Sequence, residues 1–160
     1  GMEKIVISCI LEVYEDKSSL TLQQQELLNA ATQALETAYA PYSNFKVGAA
    51  LLMEDDTIVT GSNQENAAYP SGLCAERVAF FNAGSQFPGK RIIAAAITTS
   101  YPLPRPIAPC GACRQVMAEY ELKQNSPIQV ILHAAQKTVY TINSCQNMLP
   151  LYFSGEWLKK

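Results

Sequence analysis

Apolar positions along the chain keep two rhythms, and the switches between them mark out the secondary structure. Leu27, Leu28, Ala31, Ala34, Leu35 and Ala38 recur three and four residues apart, which predicts an amphipathic helix running to Tyr39, and Thr21 with Gln24 predicts a capping box at its start. Pro41-Tyr42-Ser43-Asn44 ends it. Val47 to Met53 is a continuous apolar run of strand length, which predicts a strand buried on both faces; Glu54-Asp55-Asp56 then turns the chain and Thr57 to Ser62 returns as a hairpin partner. Leu73 to Asn82 reads as a helix and Arg91 to Thr99 as another buried strand, with Gly84, Pro88 and Gly89 between them. Pro102, Pro104, Pro106 and Pro109 forbid a helix until Gly111, after which Ala112 to Leu122 is helical in composition. Two strands follow, Ile128 to Leu132 and Thr138 to Ile142, then a short helix near Cys145 to Leu149 and a tail ending Phe153-Ser154-Gly155-Glu156-Trp157. At the other end, Lys4 to Tyr14 (KIVISCILEVY) is apolar and β-branched enough for a strand, and equally compatible with irregular packing.

This order of elements places the chain in the α/β class, with helices on both faces of a mixed five-stranded sheet. His133 to Lys137 leaves about five residues between the last two strands, whereas a parallel pair needs a crossover of about a dozen. The last two strands are therefore expected to be antiparallel.

Composition narrows the function. A chain of 160 residues, 48% hydrophobic, suffices for one domain with a sizeable core, so residues 1–160 are read as a single unit, with Gly1-Met2 as a cloning remnant before the natural start. No window approaches the roughly 18 uninterrupted apolar residues of a membrane span, so a soluble protein with no membrane partner is expected. A net charge of −2 with 16% charged residues offers no basic face for a phosphate backbone, which argues against nucleic acid as a partner. Five cysteines are an odd count, and three of them fall in metal-ligand spacing, which favours a reducing compartment, the cytoplasm, over a disulfide framework. Cys9 and Cys145 are left over and expected to be inert.

Those three are Cys74, Cys110 and Cys113. Cys110 and Cys113 stand three apart at a predicted helix start, Cys74 opens the other predicted helix, and thiolates there gain from exposed N–H groups and the positive end of the helix dipole. Three thiolates hold one zinc per chain and leave its fourth position open, as catalytic rather than structural sites do. Their formal charge of −1 against the metal asks for compensation, and Arg77 is placed to hydrogen-bond a thiolate. Glu76, two residues after Cys74, stands where a proton shuttle is needed; elsewhere on a helix it would be a solvated residue. A C-x-x-C redox pair would need no third cysteine followed by a glutamate. A closed structural zinc site would need a fourth ligand, and the one histidine, His133, sits beside the turn of the final hairpin.

Four segments together resemble the small zinc-dependent cytidine deaminases: Ala40-Pro41-Tyr42-Ser43-Asn44-Phe45-Lys46-Val47-Gly48-Ala49-Ala50-Leu51, Asn63-Gln64-Glu65-Asn66-Ala67-Ala68-Tyr69-Pro70, Cys74-Ala75-Glu76-Arg77 and Pro109-Cys110-Gly111-Ala112-Cys113-Arg114-Gln115-Val116. The likeness runs from about Tyr39 to Phe153; the segment before Ser18 lies outside it. It implies a three-layer α-β-α sandwich and hydrolytic deamination of cytidine and 2′-deoxycytidine to the uridines, with ammonia released, in pyrimidine salvage. By the same likeness Cys74, Cys110 and Cys113 bind zinc, Glu76 is the general acid/base, Asn63 and Glu65 hold the ribose hydroxyls, Asn66 lines the substrate, the Ala75 backbone faces the base and Phe45 stacks on it. A carboxamide and a carboxylate two apart on an extended segment point the same way and can share one diol. The sequence departs from the family at Lys46, where proline is common, Gln64, where an aliphatic residue is common, and Ala108, where serine is frequent.

Two other readings stand beside it: a related deaminase of another amino-pyrimidine, such as a blasticidin-S type nucleoside or a base in nucleic acid, and a non-enzymatic zinc domain. The expected antiparallel final pair argues against the nucleic-acid branch, which joins those strands through a helix. A nucleoside site normally buries most of its ligand, and the short loops here leave one side uncovered. The resemblance implies a homotetramer in which Phe153 reaches into an adjacent subunit's pocket, with Tyr69 placed to cross an interface.

Overall fold

Val47–Met53, the unbroken apolar run, is a strand whose seven residues are all buried. Residues 1–159 are described in the computed structural model, and their elements run β1 (Glu12–Tyr14), α1 (Leu22–Ala34), β2 (Val47–Met53), β3 (Ile58–Ser62), α2 (Ala75–Gln86), β4 (Ile92–Thr99), α3 (Gly111–Gln124), β5 (Gln129–Leu132) and β6 (Val139–Ile142), with short 3-10 turns at Cys145–Met148 and Gly155–Leu158 after them. The sheet order is β1-β6-β5-β4-β2-β3. β2 pairs antiparallel with β3 and β4, β4 runs parallel to β5 across the α3 crossover, and β5 and β6 are antiparallel, as their short connection requires.

The expectation of five strands is corrected to six among the described residues, because Glu12–Tyr14 adds at the edge, antiparallel to β6 with Tyr14 opposite Val139. Three residues are enough there because Tyr14 is half-buried against the cluster beneath α1. Residues 1–11, the greater part of the Lys4–Tyr14 stretch, carry no regular structure and are exposed.

Alternation on the central strands separates two cores. Ala49, Leu51, Ala95, Ile97 and Val130 face α2 and α3, where they meet Ala79, Phe80 and Met117; Ala50, Leu52, Ala94, Ala96 and Ile131 face α1, where they meet Leu27, Leu28 and Ala31. Helix α1 starts at the expected box: Thr21 Oγ1 accepts from Gln24 N at 3.2 Å and Gln24 Oε1 accepts from Thr21 N at 2.9 Å. Close approach of helix to sheet depends on two glycines. A Cβ on Gly48 would overlap the Ala31 carbonyl of α1, and one on Gly61 would overlap the Ala79 amide of α2.

One buried carboxylate fixes the C-terminal side. Glu121 accepts from the backbone N–H groups of Ile128 and Cys145 at 2.8 Å each, from Gln146 N at 3.2 Å and from the Ser144 hydroxyl at 2.5 Å. Helix α3 is thereby tied to β5 and to the turn after β6.

Candidate active site

Both halves of the cysteine pattern open helices. Cys74 is the N-cap residue of α2 and Cys110 that of α3, neither start is capped by a side chain, and Cys113 lies in the first turn of α3. The free N–H groups and positive dipole ends of two helices converge on the three sulfurs. The Sγ atoms of Cys74, Cys110 and Cys113 lie within 4.8 Å of one another, which suits a tetrahedral site: zinc–sulfur bonds of about 2.3 Å put bound sulfurs roughly 3.8 Å apart.

The electrostatics call for a cation there. The Cys74 thiol is pulled down to about 5, chiefly by a hydrogen bond from Cys113 and then by Arg77, while Cys113, which gives that hydrogen bond and is buried, is pushed well up. Adjacent thiols cannot all ionise without positive charge between them, and a divalent ion supplies it. Arg77 Nη2 donates to Cys74 Sγ at 3.4 Å, while its Nε is buried without a hydrogen-bond partner among the described residues. Glu76, in the first turn of α2 and 5% exposed, is raised to about 7, first by burial and then by the neighbouring Cys74 thiolate.

Beside the sulfurs opens a cleft of about 460 Å³, walled by Asn63, Glu65, Asn66, Tyr69, Cys74 and Arg77 among others. Its floor is an extended segment: Gln64 exchanges backbone hydrogen bonds with Leu73 at 2.9 Å in both directions, so Asn63 and Glu65 project to one side of it. Both polar ends turn to the 42–47 loop. Asn63 Oδ1 accepts from Val47 N at 2.9 Å and its Nδ2 donates to the Phe45 carbonyl at 2.8 Å, while Glu65 accepts from Tyr42 N at 3.0 Å, Ser43 N at 3.2 Å and the Ser43 hydroxyl. The Ser43 hydroxyl, more than the two amides, holds the Glu65 carboxyl below its usual range.

The structure therefore gathers Cys74, Cys110, Cys113, Glu76, Arg77, Asn63, Glu65, Asn66 and Tyr69 around one region, with the Ala75 backbone buried at the start of α2. Of the expected site residues, Cys110, Cys113, Glu76 and the buried Ala75 lie behind the cleft wall, and Phe45 and Phe153 stand outside it. Phe45 packs on the core with its ring centroid 5.0 Å from that of Tyr101, and Phe153 is 64% exposed on the tail, edge-on to Trp157 at 6.3 Å. His133 is half-buried near Thr98 Oγ1, 3.3 Å from its Nδ1, away from the sulfurs.

Sequence reasoning assigned no role to Ser43, Arg114 and Gln115. Arg114 Nε donates to the Pro109 carbonyl at 2.7 Å and Nη1 to the Met148 carbonyl at 2.7 Å, which clamps the turn bearing Cys110. Gln115 Nε2 donates to the Phe153 carbonyl at 2.8 Å. For Arg114 and Gln115 the available signal was their place directly after Cys113 at the start of a helix, and for Ser43 its place within the Ala40 to Leu51 segment.

The pattern described as cytidine and deoxycytidylate deaminase zinc-binding region matches residues 21–126. The chain is similar to the cytidine deaminase of Halalkalibacterium halodurans, 52% identical over 99 residues that span 61% of this chain and 72% of the relative. In structure it is similar to the cytidine deaminase of Burkholderia pseudomallei, with 44% identity, a TM-score of 0.71 and coverage of 80% of this chain and 97% of that one. The cytidine deaminase of Mycobacterium tuberculosis matches at 32% identity and a TM-score of 0.65, covering 84% of this chain and 99% of the other. With three sulfurs converging at two helix starts and the family's pattern spanning both, the chain belongs to the cytidine and deoxycytidylate deaminase zinc-binding family.

Proposed function

We propose that this protein hydrolyses cytidine and 2′-deoxycytidine to uridine and 2′-deoxyuridine with release of ammonia, in pyrimidine salvage. The observation that carries the reading is the meeting of three cysteine sulfurs with a buried glutamate and an arginine beside them, where Cys74 and Arg77 open onto a nucleoside-sized cleft. Cys74, Cys110 and Cys113 would hold zinc, which when bound would supply Lewis acidity and lower the pKa of a water. Glu76 takes a proton from the attacking water and delivers it to the ring nitrogen N3, then passes the second proton, from the oxygen now on C4, to the amino group, so that the C4–N bond breaks, ammonia leaves and the C4 carbonyl forms. Arg77, on Cys74 Sγ, draws electron density from the sulfur and offsets the third negative charge.

Asn63 and Glu65 receive the ribose hydroxyls, for which both keep lone pairs beyond the bonds they make to the 42–47 loop, and Asn66 lines the same wall. Phe45, backed by Tyr101 and held by Asn63 through its carbonyl, stacks on the base, which the Ala75 backbone faces. Ultraviolet assay of cytidine, 2′-deoxycytidine, cytosine and blasticidin S tests the substrate: turnover of both nucleosides is expected, and turnover of blasticidin S alone would overturn it. Purified protein should carry about one zinc per chain, and full occupancy in Cys110→Ala would remove the metal assignment.

Assembly as a homotetramer completes the site, with Phe153 entering a neighbour's cleft. Support comes from the exposure of Phe153 and Tyr69, and from Leu151, a left-handed residue (φ 55°) that is 90% exposed. Phe153→Ala with unchanged assembly and unchanged KM would refute that part. The expected setting is the cytoplasm, where the free thiols of this site persist; no helix among the described residues is long and apolar enough to cross a membrane.

A further inference from the structure

The N-terminal arm has no part in the site, yet it is the most apolar stretch the protein leaves in water. Ile5, Val6, Ile7, Ile10 and Leu11 are 78%, 89%, 54%, 73% and 42% exposed. The arm leads into β1, which ends the sheet, so the outer edge of β1 has no strand beside it among the described residues. Strand chemistry thus continues for eight residues beyond the strand, and the partner that would make it a strand is absent from the chain's own sheet.

The order of residues from Lys4 to Glu12 identifies that partner. Read inward from both ends, Lys4 faces Glu12, Ile5 faces Leu11, Val6 faces Ile10, Ile7 faces Cys9, and Ser8 stands alone at the centre. Each position is matched by its reflection in chemistry: opposite charges at the ends, apolar pairs between, a small hydroxyl in the middle. An antiparallel pairing of this segment with itself therefore satisfies every position, and does so for a second copy of this chain alone. We propose that residues 4–12 pair antiparallel with the same segment of a second copy about a two-fold axis at Ser8, with Lys4 against the partner subunit's Glu12. Nine residues span roughly 30 Å, and along that length each apolar side chain has an apolar neighbour directly across the pair.

Cross-linking tests the register without recourse to turnover, so the outcome is independent of the deaminase reading. In a Cys9→Ser background, Ser8→Cys places two thiols opposite each other across the axis, where directly facing Cα atoms lie about 4.5–5.5 Å apart, within the Cα separation a disulfide takes up. Under mild oxidation it should yield a covalent dimer in high proportion, while Val6→Cys in the same background, which faces the partner subunit's Ile10, should yield roughly 10-fold less. Equal yields from the two would overturn the register. By sedimentation, Lys4→Glu should weaken arm-dependent association by roughly 10-fold, because two facing pairs become repulsive, and Lys4→Glu with Glu12→Lys should restore it. Failure of the exchange to restore association, or association unchanged when residues 1–11 are removed, would overturn the proposal.

Discussion

Replacing Arg114 with alanine isolates what holds the zinc loop in place. The guanidinium donates at 2.7 Å to the carbonyls of both Pro109 and Met148, and no carboxylate pairs with it among the described residues. Hydrogen bonds from a charged donor contribute about 1.5–3 kcal/mol each, and the lower end applies because Arg114 is only half-buried, which gives about 3 kcal/mol for the two together. In a protein of this size that corresponds to a fall in Tm of roughly 6–12 °C. The loss falls on the residue before Cys110, so zinc affinity should drop roughly 10- to 100-fold, as it does when support behind a metal ligand is removed. Competition against a chromophoric chelator measures the affinity, and the absorption of the cobalt-substituted protein reports whether the thiolate geometry has changed. Arg114→Lys should recover only part, since one ammonium does not reproduce the two directed bonds. A variant with the lowered Tm but with wild-type zinc affinity and cobalt spectrum would show that Arg114 stabilises the fold without positioning the ligands.

Further expectations concern the site and its support. Glu76→Gln keeps the shape of the buried side chain and removes the base, so zinc should be retained while turnover falls by more than the roughly 10²- to 10⁴-fold of one proton-transfer role; a tenth of wild-type activity would exclude Glu76 as the shuttle. Arg77→Ala should slow turnover or loosen zinc, with Arg77→Lys recovering only part, and a fully active Arg77→Ala enzyme would show that the helix starts alone compensate the thiolates. Gly61→Ala forces a Cβ into the Ala79 amide, so thermal denaturation should show a loss of about 1–3 kcal/mol, and an unchanged Tm would mean that α2 shifts on the sheet at no cost.

What the chain reveals before folding follows from whether the deciding partner is near in sequence or carried by pattern. The capping box at Thr21 and Gln24 is local, and Val47–Met53 could be bounded to the residue because both of its faces are covered and polar residues stop it. The cysteines were equally legible, since a helix start fixes where a thiol at its first position points. The edge strand was not, because Glu12–Tyr14 is set off from the arm by its register with β6, more than a hundred residues away, and by no change in its own composition. The hydrogen bonds of Asn63 and Glu65 to the 42–47 loop were hidden for a related reason. Spacing shows that two side chains share a direction, but not that a loop some 20 residues earlier folds back to meet them. Arg114 escaped because its acceptors are main-chain carbonyls, which no residue identity advertises.

Three consecutive residues at the start of α3 work in three directions. Cys113 turns inward to the sulfurs, Arg114 to the carbonyls of Pro109 and Met148, and Gln115 to that of Phe153. Helical neighbours are set about 100° apart, so these contacts are distributed around the helix like teeth on a gear, and their phase is as necessary as their identity. Inserting or deleting one residue between Cys110 and Cys113 would rotate everything downstream by that angle and disengage all three at once. Homologues should therefore vary in length in the proline-rich loop before Pro109, where added residues need not alter the phase, and scarcely at all within the turn itself.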